Sequence, residues 1–495
     1  MFSYWKHEEE VVSKQKATSR AKDKSRKHRQ PSQGSETKVV IEKRVPVHPR
    51  AAGIDVGATE HWVAVPTECN QEPVRRFGAF SDDLRAIADW LKACGITTVA
   101  MESTGVYWIA LFELLETQGF EVKLVDARAV RHVPGRKSDA LDCQWIQQLH
   151  AYGLLRGAFR PADDICKLRV YLRQRSMLIE HGAQHVQHMQ KALTEMNLKL
   201  QHVVSDITGL TGLTIIDAIV QGERDPSVLA KHRHPRCAHS EKDIAKALDG
   251  CYREEHLFAL RQARELYQTY RRQIEACDTQ IDAYMAEMEQ KREGTPTDDA
   301  DYKRKRKGRI HKNSARFDAR GHLYRITGVD LTRIDGIDAT TALKLIAEIG
   351  TDMSRWASVK HFTSWLALCP GLKKSGGRMI SSRTRPSANR AAAALRVAAQ
   401  TLHRSKSALG AYYRRMRTRL GAPKAITAAA HKLARLVYNM LRYGQEYVDQ
   451  GEKRYEQQYR DRVVRNLTRR ARDLGLKLVP VKNLESHTNL AADSG

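Results

Sequence analysis

Apolar positions fall in short runs over residues 50–155 and in helix-spaced stripes over most of the rest. Residues 51–56 (Ala-Ala-Gly-Ile-Asp-Val) lead through Gly57 to the alternating run His61-Trp62-Val63-Ala64-Val65. That pattern predicts two antiparallel strands joined by a turn. Residues 97–102 predict a buried strand and 121–126 another, with helices over 81–94 and 107–117 between them. Strands alternating with helices predict a mixed α/β sheet whose ligands sit at the carboxyl ends of the strands.

Residue 163 begins a different periodicity. Ile165, Leu172, Ile179, Val186, Leu193 and Leu200 form one heptad row. Leu168, Met189, Met196 and Val203 form a second, interrupted at Arg175 and Gly182. This predicts one long helix over 163–203 with a coiled-coil seam. A second helix is predicted over 253–290. Leu260, Tyr267, Ile274, Ile281 and Met288 form one of its rows, and Ala263, Tyr270, Cys277 and Tyr284 the other. Joined by a small helical insert at 204–250, the two suggest a long antiparallel hairpin, although each could instead pair with another protomer. His181, His185 and His188 lie on the first helix and read as a solvated face rather than a zinc site.

Residues 291–320 break the pattern and carry Lys303-Arg304-Lys305-Arg306-Lys307, a linker with a basic cluster. Residues 321–442 predict a compact, mostly helical domain. Its opening, from Leu331 through Gly336 to Gly350, resembles a helix-hairpin-helix, in which backbone N–H groups face a DNA phosphate. Helices follow over 388–403 and 423–442. Residues 443–495 read as a basic helical stretch and a polar tail, and residues 1–49 as a polar, basic, disordered arm.

Charge narrows the class of partner. The 495 residues hold 84 Lys+Arg against 57 Asp+Glu, a formal net charge of +27. Such an excess points to a polyanion, nucleic acid first, bound with counterion release. No apolar run is long enough to span a membrane, and the N-terminus lacks a signal-peptide core. The eight cysteines show no Cys-x-x-Cys spacing, which argues against a zinc ribbon or a disulfide framework. The expected location is the cytoplasm, in association with the nucleoid.

Four carboxylates carry the candidate chemistry. Asp55 and Glu102 end two predicted strands, and Asp139 and Asp142 share one helix face at i, i+3. Carboxylates gathered together repel, and a divalent cation is the usual compensation. Oxygen ligands of this kind suit Mg²⁺ or Mn²⁺. Two such ions can clamp the attacking and leaving oxygens of phosphodiester chemistry. Taken singly, an Asp at a strand end is more often a turn residue or helix cap than a metal ligand, and it is the four together that favour the metal. Gly-Ile-Asp-Val-Gly also looks like the first phosphate loop of actin-like sugar kinases, but the second phosphate loop and adenosine motif those enzymes need are not found downstream. The order strand Asp, strand Glu, two helix Asp resembles the ribonuclease H fold in its RuvC-like form.

A second candidate lies in Cys-Pro370-Gly-Leu-Lys373-Lys374-Ser375-Gly-Gly-Arg378. Flanking cations could activate the Ser375 hydroxyl and stabilise a phosphorane-like transition state, while the glycines admit a phosphate. A flexible turn is the plain alternative. Arg383, Arg385, Arg390 and Lys432 are further candidates for nucleic-acid contact.

Together Gly-Ile-Asp55-Val-Gly, Met-Glu102-Ser-Thr-Gly, Lys-Ser-Asp139-Ala-Leu-Asp142, the 204–226 stretch and the Cys-Pro-Gly…Lys-Ser375-Gly-Gly-Arg block resemble the DEDD transposases of insertion sequences, which are bridge-RNA-guided recombinases. The resemblance covers roughly residues 50–442. It implies an N-terminal RuvC-like domain (50–155), a coiled-coil hairpin with helical insert (156–290), and a mostly helical C-terminal transposase domain (321–442) with Ser375 as nucleophile. It also implies Mg²⁺ or Mn²⁺ on Asp55, Glu102, Asp139 and Asp142. Its expected partners are DNA at the element ends and target, a noncoding guide RNA, and further copies of the chain in a dimer or tetramer joined through the coiled coil. Where relatives often carry a second Ser beside the nucleophile this chain has Lys374, with Ser381 and Ser382 nearby. Two alternatives stay open. One is a RuvC-like nuclease in which metal-activated water cuts and Ser375 is idle. The other is a non-enzymatic architectural protein, which leaves the four carboxylates unexplained.

Overall fold

The computed structural model describes residues 45–103, 105–126, 139–291 and 312–479. The arm up to residue 44, the Lys303–Lys307 cluster and the end of the polar tail lie outside these. The described chain forms two units, divided between Phe159 and Arg160.

The first unit is built on a five-stranded sheet ordered β3-β2-β1-β4-β5, with β1 at Ala51–Val56, β2 at Glu60–Ala64, β3 at Val74–Gly78, β4 at Thr98–Glu102 and β5 at Glu121–Val125. β1 runs antiparallel to β2 and parallel to β4, and β5 is parallel to β4. Helices α1 (Ser81–Ala93), α2 (Trp108–Thr117) and α3 (Asp139–Ala151) surround it. Alternation along each strand separates the two faces. Ile54, Val56, Val63, Val99 and Met101 pack with Ile87, Leu91, Leu111 and Leu115 in one core. Ala100 and Val125 pack with Ile146 of α3 in a smaller cluster opposite. β3 escapes the hydrophobic pattern because Val-Arg-Arg-Phe-Gly pairs only with β2 and stays half-buried to exposed.

The second unit is helical. α4 (Asp163–Glu195) and a later helix (Glu254–Gln290) pack antiparallel within one chain. Tyr284 Oη donates to the Asp164 carbonyl at one end, and His256 meets Glu195 at the other. The interruptions of the heptad row are matched across this seam. Arg175 is buried in a two-pronged ion pair with Asp278, its Nε and Nη2 donating at 2.6 and 3.1 Å. Its remaining N–H groups reach the carbonyls of Asn313 and Ser314. Gly182 leaves room for the Tyr270 side chain, 3.4 Å from where a Cβ would stand. Ile179 and Val186 of the all-apolar row are only half-buried, whereas Leu178 is buried.

α4 ends at Glu195 rather than running to residue 203. Asn197 takes a left-handed φ of 57°, and Leu198 turns into the core. Tertiary contact sets that end: Cys251 N–H donates to Met196 O and Lys199 N–H to Ala247 O. Between the long helices, α5 (Leu200–Val203), α6 (Leu210–Gln221), α7 (Pro226–Ala230) and α8 (Glu241–Leu248) form the insert, and the helix of residues Glu254–Gln290 is α9. Ile207, Ile215, Ile219, Leu229 and Ile244 of the insert share a core with Met189, Leu193, Leu257 and Leu260 of the long helices.

At the other end of the hairpin, Arg169 Nε and Nη2 donate to the Ala347 and Glu348 carbonyls at the close of the helix Ala339–Ile349. The remainder packs around the helices Arg390–Thr401, Ala408–Leu420 and Ala422–Tyr443. Ala391, Ala392, Ala399, Ala425, Ala430 and Ala434 are fully buried there, and small side chains let helix backbones approach closely. The Gly336 turn of the expected helix-hairpin-helix, at φ 89°, packs on protein: a Cβ there would stand 2.8 Å from the Ala398 carbonyl. Among the described residues no helix is long and apolar enough to cross a membrane.

Candidate active site

β1 alternates so that Ala51, Gly53 and Asp55 share the face opposite Ile54 and Val56. On β4 the corresponding residues are Thr98, Ala100 and Glu102. The β1–β4 ladder runs parallel from Ala51↔Thr98 to Ile54↔Met101. Continued by one residue, that register sets Asp55 beside Glu102 on the face that α3 covers.

α3 brings the other two carboxylates. Asp139 and Asp142 lie in its first turn, where the partial positive charge of the helix start offsets part of their repulsion. The helix is held close to the sheet by three observed features. Gln147 Nε2 donates to the Ala51 carbonyl at 3.2 Å. His150, fully buried, shares a 2.9 Å hydrogen bond with Thr98 Oγ1. Gly53 supplies the third: a Cβ there would stand 2.2 Å from Gln147 N and 2.4 Å from Cys143 O, both backbone atoms. Only a glycine permits this approach. Gly53 and His150 were missed as site residues by sequence reading. A glycine inside a buried strand was the available signal, since it marks close backbone approach. The partner of His150 lies 52 residues away and leaves no local trace.

The four carboxylates influence one another. Burial first, then the charges of Glu102, Asp139 and Asp142, push the Asp55 carboxyl from 3.8 up to about 6. Burial, with the Asp55 charge adding to it, pushes the nearby Cys143 thiol up to about 12, so it stays protonated; its Sγ–H donates to Ala140 O. A donor set of four carboxylates fits a hard divalent cation in chemistry. Among the described residues, however, no three His, Cys, Asp or Glu side chains converge closely enough to hold an ion. The carboxylates are neighbours that have not closed on one point. His181, His185 and His188 do not form such a group either; the rings of His181 and His185 stack on Tyr270.

Ser375 belongs to the second unit. Lys373–Ser375 (β6) and Arg378–Ser381 (β7) form a two-stranded hairpin, with Ser375 paired to Arg378 across the turn. Gly376 and Gly377 both take positive φ, 53° and 75°, as a tight two-residue hairpin turn requires. Nothing lies within 4 Å of where their Cβ atoms would be. Lys373, Lys374, Ser375 and Arg378 are all exposed. The Ser375 hydroxyl has no hydrogen-bond partner among the described residues, so no general base is in place. Arg385 donates to Ser364 Oγ at 3.1 Å and Gly371 N–H to the Arg383 carbonyl, which tie the base of the hairpin to the domain. Arg390 opens the helix behind it, which is capped by the Asn389 side chain. Lys432 is half-buried over the Tyr412 ring, 4.5 Å from its centroid, and also faces Tyr455.

Two family models match the chain. One, described as a transposase with the DEDD signature of IS110, matches residues 52–198 and spans all four carboxylates. The other, described as the transposase IS116/IS110/IS902 family, matches residues 329–414 and spans Ser375. No curated protein matches. With both family regions present in order on one polypeptide, around a mixed α/β unit and a helical remainder, the chain belongs to the DEDD transposases of insertion sequences, the IS110 family, and is a DNA transposase.

Proposed function

We propose that the chain excises and integrates an insertion sequence through a covalent serine–DNA intermediate, with Asp55, Glu102, Asp139 and Asp142 holding Mg²⁺ or Mn²⁺ on a RuvC-like ribonuclease H scaffold. The observation that carries this reading is the gathering of four carboxylates on one face of the 3-2-1-4-5 sheet, around a carboxyl driven up to about 6. A bound divalent ion would supply charge neutralisation at the scissile phosphate. Such a charge would also offset the repulsion among the carboxylates, which adds to burial in raising the Asp55 carboxyl.

The exposed hairpin supports a serine step. A bond forms between Ser375 Oγ and phosphorus as the bond to a deoxyribose oxygen breaks. The serine proton leaves with a base, the departing oxygen takes up a proton, and the phosphate stays on Ser375. Attack by the hydroxyl of the exchanged strand reverses these changes and releases the serine. Lys373, Lys374 and Arg378 flank the attacked phosphate and offset its developing charge. With the turn open to solvent, DNA approaches Ser375 unobstructed, and the activating base is recruited when the complex forms. Arg383, Arg385 and Arg390 extend the phosphate-binding surface.

Sequence specificity is borrowed from a noncoding RNA that pairs with donor and target DNA, while the protein contacts phosphates. The net charge of +27 and the packed-in hairpin turn at Gly336 support this division of labour. Further copies of the chain assemble into the active dimer or tetramer. Because α4 and α9 already pair within one chain, such assembly uses faces of the hairpin other than that seam.

The test is recombination between plasmids carrying the element ends and the target. Product is expected with Mg²⁺ and the RNA of the element, and none in EDTA or with Asp142→Asn. Product formed by RNA-stripped protein would remove the guide from the account. Product formed in EDTA would remove the metal.

A further inference from the structure

The 204–226 stretch belongs to neither catalytic site, yet it builds one wall of a basic groove of about 450 Å³ on the helical hairpin. Thr208 comes from that stretch, Arg264 and Arg271 from α9, and Lys312, Ser314 and Arg316 from the segment that follows residue 311. Three segments far apart in sequence therefore line one concavity. We infer that this groove binds a nucleic-acid phosphodiester, a contact which rests on the proposed function and gives the hairpin a role beyond spacing.

Charge accounting supports it. Arg264 Nη2 donates to Asp217 at 2.9 Å, and Arg316 meets Glu275 at 2.7 Å. Lys312 has only a long 3.4 Å contact to Asp206, whose other carboxylate oxygen already accepts from the Thr208 backbone and hydroxyl. Arg271 has no carboxylate partner among the described residues. Four cations thus face three carboxylates, and one cation is loosely held. The Lys312 ammonium also lies 5.4 Å from the centroid of the Tyr267 ring, which lines the same groove. An occupant that carries only acceptors and negative charge, such as a phosphate, matches this lining. Lys303-Arg304-Lys305-Arg306-Lys307 precedes Lys312 closely in sequence and extends the basic run.

The experiment measures binding of the full chain to a labelled random-sequence DNA duplex and, separately, to a labelled single-stranded RNA, across a salt series. Arg271→Glu is compared with Arg272→Glu, which makes the same charge change one position away and outside the groove. Arg271→Glu should weaken binding several-fold more than Arg272→Glu. The slope of log affinity against log salt should fall by one phosphate contact, about 0.9 for duplex DNA or about 0.7 for single-stranded RNA. The arm that changes names the ligand. Arg271→Gln should give the same slope change with a smaller loss, which separates contact from repulsion. Equal behaviour of Arg271→Glu and Arg272→Glu in both arms, with wild-type binding intact, would overturn the groove and leave the proposed function standing. Wild-type protein that binds neither probe would overturn both.

Discussion

Replacing Asp55 by Asn should make the first unit more stable in metal-free buffer while abolishing recombination. The carboxyl titrates near 6 in the fold, against an ordinary 3.8. An acid whose folded pKa is raised costs stability once ionised. Stability falls as pH rises from about 4 to about 6 and the penalty is constant above that. A shift of roughly two units corresponds to about 3 kcal/mol. Asp55 is only partly buried, so solvent screening reduces this to about 1–2 kcal/mol. Asn keeps the shape and removes the charge. For a unit of this size the gain raises the melting temperature by about 4–8 °C. Divalent ion should stabilise the wild type, because it binds the gathered carboxylates only when folded, and should stabilise Asp55→Asn much less. Calorimetry at pH 7.5 in EDTA and in Mg²⁺ reads both effects. Hydrogen exchange of the β1 and β4 amides assigns them to the sheet, since a chain of two units need not melt in one step. An Asn variant that melts below wild type in EDTA, or an equal Mg²⁺ shift in both proteins, would refute the reasoning.

The same unit carries an opposing titration. Burial first, with the charges of Lys123 and His48 adding to it, pushes the His150 imidazole from 6.5 down to about 4. Its stabilisation is complete above about pH 6.5 and is lost as pH falls toward 4, the opposite sign to Asp55. Asp55 therefore offsets part of this loss, and wild-type stability should decline by only about 1–2 kcal/mol on acidification between those limits. Asp55→Asn should expose a decline of up to about 3 kcal/mol on acidification, measured by urea denaturation at several pH values. Gly53→Ala drives a Cβ into the α3 backbone and should lose most recombination for about 1–3 kcal/mol of stability, checked by product yield against denaturation midpoint. Arg175→Leu strands buried Asp278 and should cost about 3–5 kcal/mol; adding Asp278→Leu should recover most of it in the same denaturation assay.

The sheet was legible where it is buried. β1, β2, β4 and β5 announce themselves as apolar runs, and Asp55 and Glu102 stand out as carboxylates at the ends of such runs. β3 did not, because an edge strand with two arginines needs only one neighbour. The end of α4 was hidden because its heptad continues apolar through Leu200, while the turn at Asn197 is imposed by contacts to residues 247 and 251. Arg175 looked like a defect of the seam for the same reason, its partner lying 103 residues away. The Gly-Gly after Ser375 read only as a flexible turn, and the hairpin was missed because its cationic flanks carry no alternation that would have marked them as strands. The four carboxylates were readable as a set. That a bare glycine at position 53 lets them become neighbours was not, since close approach is a property of two segments rather than one.

The central claim is that Ser375 forms the bond to DNA. Wild-type protein reacted with a labelled, nicked substrate that traps the intermediate, then denatured and digested, provides the direct measurement. The account predicts a DNA adduct that survives denaturation and maps by mass spectrometry to the peptide around Ser375. Ser375→Ala should lose both adduct and product while still binding DNA through Lys373, Lys374 and Arg378. Cleavage that persists in Ser375→Ala without any adduct would contradict the account and leave a water-using nuclease in its place.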